Sequence, residues 1–97
     1  IRGGVQSLSG AGAVDLTNLI TEVTTTGADA LTLADGTTSG QVKIVTMIVD
    51  GGDGTLTPTT FANGTTITFD AVAESVTLVW NSTIGWVATS VQGATIA

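Results

Sequence analysis

Threonine makes up about a fifth of this chain, and valine and isoleucine are frequent beside it. Side chains branched at Cβ lose rotamer freedom in a helix and pack well on a pleated sheet. Stretches rich in Leu, Glu, Lys and Arg, which would build a helix surface, are missing, and 13 glycines punctuate the sequence. The chain is therefore expected to be all-β. Its 97 residues suit one small domain. With 42% hydrophobic and only 10% charged residues it is the reverse of a disordered acidic chain. No apolar run approaches the roughly 18 residues of a membrane-crossing helix, and the longest, around Ile44 to Val49, is interrupted by Thr46. No basic-then-apolar start is visible, so no signal peptide is expected, and an opening at Ile1 rather than Met reads as a processed chain or a fragment.

The residue types that are missing narrow the function. There is no His and no Cys, hence no imidazole base, no thiolate metal site and no thiol nucleophile. Tyr is absent too. Eight acidic residues against two basic ones give a net charge of −6, which disfavours a phosphate backbone or an anionic membrane as partner. No catalytic residue, metal ligand or cofactor is expected.

Along the chain, Ile1 to Gly12 carries Gly3, Gly4, Gly10 and Gly12 with few apolar anchors and reads as an extended arm, residues 1–12, ahead of a single β domain, residues 13–97. Leu16 to Val23 reads as a strand with Leu19, Thr21 and Val23 on one face and Ile20 and Glu22 on the other, although Leu16, Leu19, Ile20 and Val23 also fit a helical period. Ala28 to Ala34 follows as a strand, and Asp35-Gly36 reads as a hairpin turn into Gln41 to Val49. In that segment Val42 and Ile44 share one phase while Val45, Met47 and Val49 share the other. Either both faces are buried or a bulge resets the register near Ile44–Val45. Further strands are expected at Thr55 to Thr57, Thr65 to Phe69, Ser75 to Trp80 and Trp86 to Val91, with Thr95 to Ala97 as a last edge strand. About eight short strands with frequent turns predict a small antiparallel β-sandwich or barrel.

Four groups of residues invite a functional reading. Asp50-Gly51-Gly52-Asp53-Gly54 resembles a piece of a calcium loop but lacks the further carboxylates, and reads as a turn. Asn63-Gly64-Thr65 and Asn81-Ser82-Thr83 match the glycosylation pattern at positions where turns are expected anyway. Asp70 and Glu74 bracket a connection, and the many hydroxyls have no activating base. Trp80 and Trp86 flank a hairpin, close to one another across the strands, and point to a core or a subunit interface, with sugar stacking as the alternative.

The order Ile48-Val49-Asp50-Gly51-Gly52-Asp53-Gly54-Thr55-Leu56-Thr57-Pro58, then Gly64-Thr65-Thr66-Ile67-Thr68-Phe69, then Glu74-Ser75-Val76-Thr77-Leu78-Val79-Trp80-Asn81 and Gly85-Trp86 resembles the compact β domains of tailed-phage virion proteins, notably capsid decoration proteins and head or tail fibres of marine phages. The resemblance covers roughly Ala28 to Val91. It implies a homotrimer without enzymatic activity, and it carries over no catalytic residue. On that basis the chain is expected on the outer surface of a capsid, as a decoration (cement) protein whose partner is the major capsid protein of the same virion. The alternatives are a head- or tail-fibre domain that binds host surface or glycan, and an exported adhesion module. The residues expected to serve assembly are Ile1 and Val5, each filling a shallow pocket, Arg2, pairing with a partner carboxylate, and Trp80 and Trp86 at an interface.

Overall fold

The computed structural model describes residues 3–97 and is all-β, with no helix among those residues. Ten strands run in order: β1 (Val5–Ser9), β2 (Gly12–Val14), β3 (Ile20–Thr24), β4 (Asp29–Leu33), β5 (Val42–Val49), β6 (Gly54–Pro58), β7 (Ile67–Phe69), β8 (Ser75–Asn81), β9 (Gly85–Gln92) and β10 (Thr95–Ile96). They form two five-stranded sheets. Sheet A has the order β1-β3-β5-β8-β9 and sheet B the order β10-β7-β6-β4-β2.

The sandwich is mixed, where the alternating sequence pattern predicted antiparallel pairing. From β1 to β6 the chain changes sheet at every step, so like strands stack in parallel: β1 on β3 on β5, and β2 on β4 on β6. Three such rungs are followed by antiparallel strands, β7 beside β6, β8 beside β5 and β9 beside β8. The reason lies in the connections. Asp35-Gly36 does not close a hairpin. It begins the passage from β4 in sheet B to β5 in sheet A, and Gly36 is required because a Cβ there would overlap the ring of Trp80. Two antiparallel hairpins follow, β6–β7 and β8–β9; the second is the one expected between Trp80 and Trp86, and Asn81 pairs with Gly85 across it.

Parallel stacking aligns like with like. On the inner side of sheet B, Leu31, Leu56, Ile67 and Ile96 sit side by side in register. On the inner side of sheet A, Val23 meets Met47, and Val45 meets Val76. These rows face each other and make the core together with Val14, Leu33, Phe69, Leu78 and both tryptophans. Thr21 and Val23 point inward and Ile20 and Glu22 outward, as the strand reading of Leu16 to Val23 predicts, though the strand itself begins only at Ile20. No bulge separates Ile44 from Val45; the register shift lies between β3 and β5 at Val23–Thr24.

The segment expected as an extended arm, residues 1–12, is partly sheet over its described residues. Val5–Ser9 pairs with Ile20–Thr24 along its whole length, and Gly12 opens β2. Its glycines flank the strand rather than interrupt it, and inside it Gln6 and Leu8 alternate toward the interior, enough to dock five residues. Gln6 ties this strand down. Its Oε1 accepts from the Thr21 hydroxyl at 2.7 Å and from the Asp15 N–H at 2.9 Å, and its Nε2 donates to the Ala13 carbonyl at 3.0 Å.

Beside this network lies a buried cation. Lys43 shares the inward phase of Val45 and Met47. Its Nζ donates to Asp15 Oδ1 at 3.0 Å and to the Asn18 carbonyl at 2.8 Å. Asp15 also accepts from the Asn18 backbone N–H at 3.1 Å and from Asn18 Nδ2 at 2.8 Å. Burial raises the Asp15 pKa, but the hydrogen bonds from Asn18 and Lys43 and the Lys43 charge outweigh it and hold the carboxyl below its ordinary value. A depressed pKa makes the proton favour the unfolded chain. The carboxylate's contribution is thus complete above its ordinary pKa and is lost as pH falls through the lowered one. Asp15→Ala should destabilise the fold by about 3 kcal/mol, the low end for a broken buried pair, since the Asp15 side chain keeps 30% exposure. Denaturant unfolding checks the size of the loss. Melts taken from neutral to strongly acid pH should show a shallower acid decline in Asp15→Asn than in the parent.

Candidate assembly surface

Strand β5 is the middle of sheet A, and both of its phases are apolar. Its inward phase is the core. Its outward phase opens with Val42 and Ile44, which no second layer covers among the described residues. The parallel register sets Val5, Ile20 and Ile44 side by side, and the antiparallel register sets Val42, Val79 and Val87 side by side. The result is one apolar band across all five strands on the outer face of sheet A. Val5 at its margin is 51% exposed and Val42 at its middle 42%, while the other four are half-buried. Beside the band the same face turns polar, with Ser7, Glu22, Thr46, Ser75 and Gln92 in one row.

Charge is nearly absent from this face. Among the eight acidic residues only Glu22 projects from it. Asp15 is paired with Lys43, and the others sit on β4 or in connections. The outer face of sheet B contrasts with it. There Thr32, Thr55, Thr57, Thr68 and Thr95 project outward with Ala13 and Ala30, so that face is covered by hydroxyls and methyls. Strands of five, five, eight, seven and eight residues at about 4.8 Å spacing give sheet A a footprint of roughly 500 Å². A partner in a standard interface contributes about 800 Å² of accessible surface, so this face supplies most of one.

The residues singled out in the sequence are placed as follows. Ile1 and Arg2 lie outside the described residues. Val5 is exposed at the edge of the band. Trp80 and Trp86 are directly paired across β8 and β9, with ring centroids 5.4 Å apart at 63°, edge to face. They are 8% and 1% exposed, and Trp86 Nε1 donates to the Ala34 carbonyl at 2.9 Å. Both rings belong to the protein's own core. They pack against sheet A from its inner side, and neither presents a platform for a sugar ring. Burial follows from the register, which turns both toward sheet B.

The polar motifs resolve into turn chemistry. Asp50 Oδ1 accepts from the Gly52 N–H at 3.1 Å. Gly52 takes a φ of 154°, and a Cβ there would overlap the backbone of Gly27. The buried Thr25 hydroxyl holds the same turn, donating to the Gly52 carbonyl at 2.7 Å and accepting from the Gly51 N–H at 2.9 Å. Asn63 Oδ1 caps the Ala88 N–H, Asn81 Oδ1 accepts from Thr83 and Ile84, and Glu74 Oε1 accepts from the Asp70 N–H. Among the described residues no three metal-ligating side chains come together.

Sequence reasoning missed the band and the inward lysine. The signal for both lay in Gln41 to Val49. Apolar residues in both phases require something to cover each face, and the alternation already put Lys43 in phase with Val45 and Met47.

Two outcomes follow. Chelation with EDTA should leave the melting temperature unchanged, because the Asp50 carboxylate is engaged by a backbone N–H; scanning calorimetry with and without added calcium checks it. Ile44→Lys, on the outer side of a strand whose inner side is intact, should keep the parent's monomer fold by circular dichroism. It should weaken any contact made through the band by about tenfold or more, a cost of about 1.4 kcal/mol, read by sedimentation across a concentration series.

No family model matches the chain, and no curated protein matches it, so the reading of this surface rests on its own geometry.

Proposed function

We propose that this chain is a non-enzymatic virion structural protein, a trimeric decoration protein on the outer surface of a phage capsid that bridges neighbouring copies of the major capsid protein. The observation that carries the reading is the nearly uncharged apolar band of sheet A on a chain of net charge −6. A small acidic domain that leaves such a face open is suited to cover it with protein, since contiguous exposed apolar surface marks an interaction site. The other supports are the strand-and-turn pattern that resembles phage virion domains, and carboxylates that, apart from Glu22, lie on β4, in connections or in one internal ion pair.

The mechanism is mechanical. Copies seated over junctions between capsid subunits add buried area that has to be lost before the shell opens under the pressure of packaged DNA. Individual contacts of standard size, about 1,600 Å² in total, need not be tight, because repetition over a shell adds their effects. The threonine-covered face of sheet B is the side suited to water. The fibre alternative, binding host surface or glycan, is less well served, because its stacking residues would be Trp80 and Trp86 and both are interior.

Mass spectrometry and imaging of purified particles test the proposal. The chain should be present at many positions on the head, and the free protein should sediment as three chains at micromolar concentration. A few copies confined to the tail would favour the fibre alternative, and absence from particles would end the virion reading.

A further inference from the structure

The four edges of the two sheets are not equally protected. The edge of β9 is covered by the segment at Thr60 to Asn63: Trp86 donates to the Thr60 carbonyl at 2.9 Å, Ala62 to the Trp86 carbonyl at 2.8 Å, and Ala88 to Asn63 Oδ1 at 2.8 Å. Its remainder is bent by a register shift at Thr77–Leu78. The edge at β2 is three residues long, and the Gln6 side chain caps its Ala13 carbonyl. The edge at β10 has two residues. Short strands, bulges and covering segments are the usual protections of a sheet edge, along with charge and proline. Among the described residues, strand β1 has none of them. It is five residues long, regular in register, uncharged and without proline.

The bonding pattern says which of its groups are free. The Gly4 carbonyl accepts from Ile20 at 3.1 Å, and Gly10 donates to the Thr24 carbonyl at 2.9 Å. Parallel alternation between these two bonds gives the backbone groups of Gln6 and Leu8 to β3. Those of Val5, Ser7 and Ser9 point away from the sheet, three N–H and three C=O groups in a row. Their spacing is symmetric about Ser7.

We propose that β1 pairs antiparallel with β1 of a second copy across a two-fold axis at Ser7, joining two A sheets into one of ten strands. In that register Val5 faces Ser9 of the second copy and Ser7 faces Ser7. These are the positions of an antiparallel ladder at which two residues exchange both hydrogen bonds. All six outward groups of each copy are then paired. The match is self-complementary, as a two-fold contact requires. Repulsion is small. The nearest carboxylate on the face is Glu22, one strand inward, so the two copies of it stand three strand spacings apart, about 14 Å and beyond the screening length of about 10 Å at moderate salt. The pairing goes beyond the virion reading and does not depend on it. A trimer built on the face of sheet A would use this contact between trimers.

The chain has no cysteine, so single replacements report the register directly. Across the axis the two Cα atoms at position 7 would stand about 5.5 Å apart. That is inside the disulfide range of about 4.4–6.8 Å. The two Cα atoms at position 9 would be about 14 Å apart, far outside it. The test is mild oxidation of full-length Ser7→Cys and Ser9→Cys proteins, each shown by its circular dichroism melt to fold like the parent, read on non-reducing gels. Ser7→Cys should form a covalent dimer at least tenfold faster than Ser9→Cys. Equal rates, or no dimer from either, would overturn the proposal, whatever particle imaging says of the virion reading.

Discussion

Lys43 sits on the central strand of sheet A and points into the sandwich, so its ammonium has to be satisfied there or the strand cannot take this register. Asp15 and the Asn18 carbonyl supply the partners. Both belong to the connection that carries the chain from β2 in sheet B to β3 in sheet A. The pair therefore fixes more than a charge. It ties the first rung's exit to the strand of the third rung, with the second rung's strand between them. Gln6 extends the tie to β1 through Thr21 and Asp15. No buried side-chain nitrogen or oxygen is left without a partner among the described residues. A buried network of this kind is costly when incomplete and specifies one register when complete.

Given that register, the rest of sheet A follows from a period of two. Seating Lys43, Val45 and Met47 inside leaves Val42 and Ile44 outside. In-register neighbours then place Ile20 and Val5 on one side and Val79 and Val87 on the other. The apolar band is thus a consequence of where the interior pair sits. A shift of β5 by one residue would have put Lys43 outside, and Val42 and Ile44 in the core.

Much of the fold was legible. The all-β class came from the β-branched content, and the shared face of Thr21 and Val23 came from alternation. The second hairpin came from Asn81 to Gly85 between two strands, and β10 from the last three residues. Strand direction was not legible. Asp35-Gly36 between two alternating strands has the local chemistry of a hairpin, but local chemistry does not say whether the next strand returns beside its predecessor or crosses to the opposite sheet. That is decided by which pairing buries the larger set of side chains, and by the fit of the Trp80 ring against Gly36. The glycine-rich start was misread for a related reason. A short edge strand needs few apolar residues of its own when β3 is already in place to pair with it.

The candidate surface divides the same way. By itself the sequence determined that the chain would be β-structured, acidic and poor in catalytic groups, and that Gln41 to Val49 would present apolar side chains to both faces, because composition and period are local properties. Only the tertiary structure decided which of those faces became core and which stayed open, that both tryptophans turned inward, and that β1 was left with an edge unpaired among the described residues. Each of these depends on which strands become neighbours. Neighbours are chosen by the burial and hydrogen bonding of the whole sandwich, which no single segment of the chain encodes.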